Sequence, residues 1–221
     1  TNGSVRYVNL SDAANAGLVK AAKDRVYIGA DMEGRAADRG RRSVRIESLA
    51  EYNSGLFVAR IDHAPTGCGT WPAFWMYGAD SRHAWPRWGE YDIVEGVHTM
   101  DHSMTTLHTS PHCDQSHVSE GVDFSSKWNN GRESGKAADS CNVNASDQWS
   151  NQGCSQRGPL ASLGAPFNRH GGGTFAAEWD PEAAHIRTWF WPAGFEPEDL
   201  RARRPEPSFW PTPFSYFSLA R

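Results

Sequence analysis

Apolar and polar residues alternate over short runs of this chain. Val44 and Ile46 alternate with Arg45 and Glu47, and Phe57, Ala59 and Ile61 alternate with Val58, Arg60 and Asp62. A period of two puts successive side chains on opposite faces of a strand. Strands are predicted at Val5–Asn9, Arg25–Ala30, Ser43–Ser48, Leu56–Ile61, Tyr91–Glu95, Thr105–Thr109, Phe175–Trp179 and His185–Trp191. The last two read as one hairpin turning at Asp180-Pro181-Glu182. Ser11–Lys23 is Ala-rich and is predicted as a short helix capped by Ser11 or Asp12. From His112 to Gly173 the pattern lapses into Ser, Asn and Gly, and a long irregular loop is expected. Arg201–Pro207 reads as a basic, Pro-rich surface loop.

Composition agrees with many short strands. The 21 Gly and 13 Pro imply many turns, so an all-β class follows. At 221 residues, with no internal repeat or linker, residues 1–221 are expected to form a single domain. Ten Trp exceed what a core of this size needs, and flat aromatic faces suit stacking on pyranose rings. The net charge of −4 gives no reason to expect a nucleic acid or a membrane as partner. No signal peptide and no long apolar stretch is present. Cys68, Cys113, Cys141 and Cys154 lack CxxC spacing and allow three pairings. With the Asn-x-Ser sequons at Asn2, Asn9 and Asn144, they favour a secreted, oxidising setting.

The chemistry lies in Trp85-Pro86-Arg87-Trp88-Gly89-Glu90-Tyr91-Asp92-Ile93-Val94-Glu95-Gly96-Val97. On a regular strand Glu90 and Asp92 share a face, whereas Glu95, an odd number of residues from Glu90, points away. One extra residue at Ile93–Val94, a β-bulge, returns Glu95 to their side. Two carboxyl groups about 5–5.5 Å apart are what a retaining glycosidase needs. The charge of one, with Asp92 between, disfavours ionisation of the other, which keeps its proton for the leaving oxygen. The plain alternative is a solvent-facing strand, but Trp71, Trp75, Trp85 and Trp88 just upstream make a poor solvent face.

Gly89 to Gly96 resembles the signature of glycoside hydrolase family 16 in the bulged form of its laminarinases. Gly67-Cys68-Gly69-Thr70-Trp71-Pro72-Ala73-Phe74-Trp75 is similar to the segment before it in fungal members, and Leu107-His108-Thr109 to the strand after it. The looser resemblance runs from about Val5 to about Pro213. It implies a concanavalin A-like jelly-roll β-sandwich with a concave cleft. By motif match Glu90 is the nucleophile, Asp92 its assisting carboxylate and Glu95 the acid/base. Trp75 and Trp85 match aromatics beside the scissile bond, and His108 matches a histidine near the acid. Trp88 stands where many relatives have Gly and would narrow the cleft. The chain begins after the family's first strand, and its tail Phe214–Arg221 does not look like the family's continuation, so the sandwich is expected to be incomplete at both ends. The activity implied is retaining endo-hydrolysis of β-1,3- and mixed β-1,3/1,4-glucans by a secreted or cell-wall monomer without cofactor.

Rival readings are weaker. His98, His102, His108, His112 and His117 cluster in sequence, but strand and loop give no zinc spacing, so no metal is expected. Gly171-Gly172-Gly173 is a turn and does not follow a strand as a phosphate loop does. A noncatalytic β-glucan-binding module, or an inactive paralogue, would keep the Trp and lose an acid, yet both Glu90 and Glu95 are present. Plant transglycosylases that resemble the family carry the unbulged spacing.

Overall fold

The computed structural model describes residues 4–34, 40–78, 80 and 82–220. The chain groups into two units, Thr1–Tyr52 and Asn53–Arg221. The Asn2 sequon lies outside the described residues.

In the first unit, β1 (Val5–Tyr7) leads into α1 (Leu10–Asn15), which is followed by β2 (Val19–Ala21), β3 (Val26–Ile28) and β4 (Arg41–Ser43). β1 pairs in parallel with β4, and β2 with β3 antiparallel. The helix is shorter than its Ala content suggests. Asn9, not Ser11 or Asp12, caps it, accepting the Asp12 N–H at 2.9 Å. Gly17, at φ +68°, follows the helix end, and Val19–Ala21 then pairs as a strand. The predicted strand at 43–48 is realised only at its first residue, Ser43.

The second unit contains β5 (Gly55–Ile61), β6 (Ala73–Tyr77), β7 (Glu90–Glu95), β8 (Met104–His108), β9 (Cys154–Arg157), α2 (Gly164–Arg169), β10 (Gly173–Asp180), β11 (His185–Pro192), α3 (Glu198–Arg201) and β12 (Ser215–Ser218). They form two four-stranded sheets, ordered β6-β7-β8-β9 and β12-β11-β10-β5, with every neighbour antiparallel. Tyr91, Ile93, Val94 and Leu107 from one sheet meet Phe175, Ala177, Ile186 and Phe217 from the other in a single core. This is the expected all-β sandwich. The hairpin turn falls where predicted, with Asp180 Oδ1 accepting the N–H groups of Glu182 and Ala183 at 3.0 and 2.9 Å. No helix among the described residues is long and apolar enough to cross a membrane.

Three strands of this unit escaped the hydropathy pattern. β9 reads Cys-Ser-Gln-Arg, and its Ser155 and Gln156 are buried because hydrogen bonds satisfy them. β12 reads Ser-Tyr-Phe-Ser and lies in a tail for which no strand was predicted, yet it pairs with β11. Its outer edge is closed by side chains. Gln156 bonds both the N–H and C=O of Tyr216, at 2.8 and 2.9 Å, and Gln115 does the same at Ser218, at 2.8 and 3.0 Å. An amide side chain carries one donor and one acceptor group in fixed relation, so it substitutes for a missing strand. β6 reads Ala-Phe-Trp-Met-Tyr, apolar without alternation, and so carries no period-two signal.

The irregular span before β9 is held in the same way. Gln148 bonds both backbone groups of Ser140 at 2.8 Å and also the Gly153 carbonyl. A disulfide joins Cys141 to Cys154, one bond of one of the three two-bond pairings left open by the sequence. Cys113 and Cys68 are free thiols.

Candidate active site

β7 carries the expected bulge. Against β8, Asp92 pairs with Thr106 and Glu95 with Met104, so Ile93 and Val94 together oppose Thr105. Both apolar residues turn into the core, and the Thr105 hydroxyl holds the bulge by donating to the Ile93 carbonyl at 2.9 Å. The extra residue restores Glu95 to the side of Glu90 and Asp92.

Cross-strand partners share a face, which gives the rest of the surface. Trp75 and Tyr77 of β6 lie beside Asp92 and Glu90. Thr106 and His108 of β8 lie on the other side, with Ser155 of β9 beyond Thr106. The Trp75 and Tyr77 rings stand 5.2 Å apart. Thr106 and Ser155 join hydroxyls at 2.9 Å, and Asn129 donates to Ser155 at 2.7 Å. The result is a polar floor with an aromatic flank.

Two tryptophans hold the terminal carboxylates. Trp85 donates its indole N–H to Glu90 Oε2 at 2.5 Å, and Trp71 donates to Glu95 Oε1. Both rings remain well exposed, at 47% and 61%. Asp92, 3% exposed, sits between the glutamates, with Oδ2 3.1 Å from His108 Nε2. This is a charge contact rather than an aligned hydrogen bond, and the other nitrogen, His108 Nδ1, is buried without a partner among the described residues. Gly153 backs the imidazole. At φ +64°, its missing Cβ would stand 2.9 Å from His108 Nδ1 and 2.2 Å from the Leu107 carbonyl oxygen, so only glycine lets the loop approach.

The charges are poorly balanced. Burial pushes the Glu95 carboxyl up to about 7, helped by the charges of Asp92 and Glu90 and opposed by the Trp71 N–H and His108. Burial draws His108 down, but the Asp92 contact and the charges of Asp92, Glu90 and Glu95 outweigh it, and the imidazole is raised. Near neutral pH Glu95 therefore holds a proton it can give, which is the state a general acid requires.

The predicted site residues are largely brought together. Glu90, Asp92, Glu95, Trp75, Trp85 and His108 converge on one face. Trp88 does not join the floor. Its ring lies 4.5 Å from His83, and its indole hydrogen bond, with His83 second, holds the exposed Asp80 below the usual carboxylate range. Trp71 and Tyr77 went unassigned in the sequence reading. Tyr77 was findable, since it lies two residues beyond Trp75 on one strand. Trp71 lies outside the strand, and only the folded loop reveals its bond. Of the five clustered histidines, His98 and His102 take other partners, accepting from the Gly69 N–H and pairing with Asp101. Glu90, Asp92 and His108 present ligand-type atoms within 4.8 Å of one another, but Asp92 and His108 are already paired.

A family model described as "XgeA-like, catalytic GH16 domain" matches residues 1–221. Among curated relatives, the endo-1,3(4)-beta-glucanase of Arthroderma benhamiae is 37% identical over 220 residues, covering 98% of this chain and 44% of the relative. The endo-1,3(4)-beta-glucanase xgeA of Emericella nidulans is 40% identical, covering 98% of this chain and 32% of the relative. The chain thus spans less than half the length of these relatives. Among solved structures, the GH16 Laminarinase 16A from Phanerochaete chrysosporium, with beta-glucans in both donor and acceptor sites, superposes with TM-score 0.84 at 32% identity, covering 99% of this chain and 69% of that one. An elongating GH family 16 beta-1,3-glucosyltransferase superposes with TM-score 0.82 at 34% identity, covering 98% and 67%.

Proposed function

Because the chain belongs to glycoside hydrolase family 16, with its jelly-roll fold, we propose that it is the catalytic domain of an endo-acting β-glucanase that cleaves β-1,3- and mixed β-1,3/1,4-glucans with retention. The observation that carries this reading is the bulged strand β7, which turns Glu90 and Glu95 to one face while the environment of Glu95 favours its protonated form. Glu90 attacks the anomeric carbon as Glu95 protonates the departing glycosidic oxygen. Glu95, now a carboxylate, takes a proton from water, which attacks the anomeric carbon and releases Glu90. Asp92 keeps negative charge between the two acids, which favours the protonated state of Glu95 before the first step. Trp75 and Trp85 stack the sugar beside the scissile bond, His108 supports Asp92, and Trp88 narrows the cleft from the His83 turn. No step calls for a cofactor.

The match of the family model over residues 1–221 supports treating both units as one catalytic domain. The Cys141–Cys154 disulfide supports an extracellular or cell-wall setting. Of the sequons, Asn144 is exposed, while the Asn9 amide is engaged with Asp12, so Asn144 is the better glycan acceptor.

The test is hydrolysis of laminarin and lichenan by the purified chain, with proton NMR of the first product. The expected result is initial release of the β-anomer. Initial release of the α-anomer, or activity unchanged in Glu90→Gln, would overturn the reading. Transfer to a sugar in place of water is a second reading, favoured by the likeness to the glucosyltransferase structure. Products longer than the laminari-oligosaccharide supplied would establish it.

A further inference from the structure

We infer that Trp71 is a positioning residue for the acid/base, and that its indole N–H selects which oxygen of Glu95 carries the proton. The inference rests on the assignment of Glu95 as acid/base.

The bond is set by backbone on both sides of Trp71. Two residues after it, Ala73 pairs with Glu95 itself in the β6–β7 ladder. One residue before it, the Thr70 carbonyl accepts the His98 N–H at 2.9 Å, and His98 lies three residues beyond Glu95. The turn between is closed on the same histidine. Gly67 N–H donates to the His98 carbonyl at 2.9 Å, Gly69 N–H to His98 Nδ1 at 2.9 Å, and the Thr70 hydroxyl to the Gly67 carbonyl at 2.8 Å. Trp71 is therefore registered against the end of the very strand that carries Glu95. Although 61% exposed, its indole is not free to find another acceptor at little cost.

The bond occupies Oε1, so the proton for the leaving oxygen sits on Oε2. An N–H donor also favours the carboxylate form and works against the burial and the charges of Asp92 and Glu90. His108 on β8 works in the same direction as Trp71, while Ala73 and Met104, the ladder partners of Glu95, carry no charge. Trp71 thus tempers the rise of the Glu95 pKa and keeps the group able to give its proton and to take one back.

The experiment replaces Trp71 with 3-benzothienylalanine, which keeps the ring shape and lacks the N–H, alongside Trp71→Phe. Carbon-13 NMR of labelled glutamate carboxyls follows Glu95, identified by its loss in Glu95→Gln. The pKa should rise by about one unit in both variants. In wild type, the Trp71 indole N–H resonance should shift with the midpoint of Glu95 and stop shifting in Glu95→Gln. In activity, the alkaline limb of kcat/KM should move up by the same amount. With the benzothienyl residue kcat should fall about tenfold on laminarin while KM stays within about twofold. An unmoved Glu95 pKa, or an indole resonance blind to the Glu95 titration, overturns the inference. If instead Glu95→Gln keeps the alkaline limb, the acid/base assignment fails, a different outcome from failure of the Trp71 link.

Discussion

The second unit presents two outward sheet faces built from similar residues to different ends. On the β6–β9 face, three carboxylates share one histidine, and Trp71 and Trp85 are 61% and 47% exposed. On the outer face of the other sheet, Glu178 meets two basic side chains, the His185 imidazole at 3.0 Å and the Arg187 guanidinium at 2.5 Å. There Trp189 is only 2% exposed, covered by Trp210 in an edge contact at 5.0 Å and by Arg187 over its ring, with its N–H bonded to the Pro211 carbonyl at 2.7 Å. One face satisfies its charge and packs its aromatics. The other gathers its carboxylates and leaves aromatic surface open, which suits the proposed work of holding a proton and a sugar. Trp and Glu content alone does not separate the two faces; the neighbours of each group do.

Substitutions at matched positions can break that comparison. The largest effect is expected for Glu90→Gln, which removes the proposed nucleophile and should lower hydrolysis by on the order of 10⁴-fold or more on every substrate. Steady-state rates on laminarin and on activated aryl glycosides check this. Glu95→Gln should cost about 10²–10⁴-fold on laminarin and much less where the leaving group needs no proton. Equal losses on both substrates would reverse the roles assigned to the two glutamates. In the wild type, kcat/KM should fall as pH rises through about 7, where Glu95 loses its proton, and this limb should vanish in Glu95→Gln.

Glu178→Ala on the opposite face should leave kcat and KM unchanged and cost about 1–2 kcal/mol in denaturant unfolding, since it strands Arg187 and His185 without their carboxylate. A large loss of activity would show the faces to be coupled. A last effect, on stability and without loss of fold, concerns Glu95→Gln. The folded pKa of Glu95 is raised, so its contribution to stability is fully present below about 4.5 and is lost as pH rises through about 7. The variant should match wild type in melting temperature at pH 4 and exceed it at pH 8, by about 3 kcal/mol for a carboxyl raised from 4.5 to about 7. A variant less stable than wild type at pH 8 would contradict the charge imbalance on which the comparison rests.

The same contrast separates what was legible in advance. Alternation located β5, and runs rich in strand-forming residues located β7, β8, β10 and β11, whereas the equally alternating 43–48 run is a strand only at Ser43. The bulge was legible too, since Glu90, Asp92 and Glu95 can share a face only if one residue is added at Ile93–Val94. β9 and β12 were not legible. Their polar positions are buried because Gln115, Gln156 and Ser155 meet distant backbone groups and hydroxyls, and no local pattern encodes such a partner. α1 ended early because tertiary pairing claimed Val19–Ala21 against the local preference of the Ala-rich run.

By itself, then, the sequence determined the all-β class, the bulged strand and the placement of Glu90, Asp92 and Glu95 on one face, because composition and short-range spacing are properties of the chain alone. Only the tertiary structure decided which tryptophans meet those carboxylates, which cysteines pair, and that Glu95 has an elevated pKa. Each of these depends on where the fold sets groups in space, even for partners as near in sequence as Trp85 and Glu90, because burial and charge act through spatial distance.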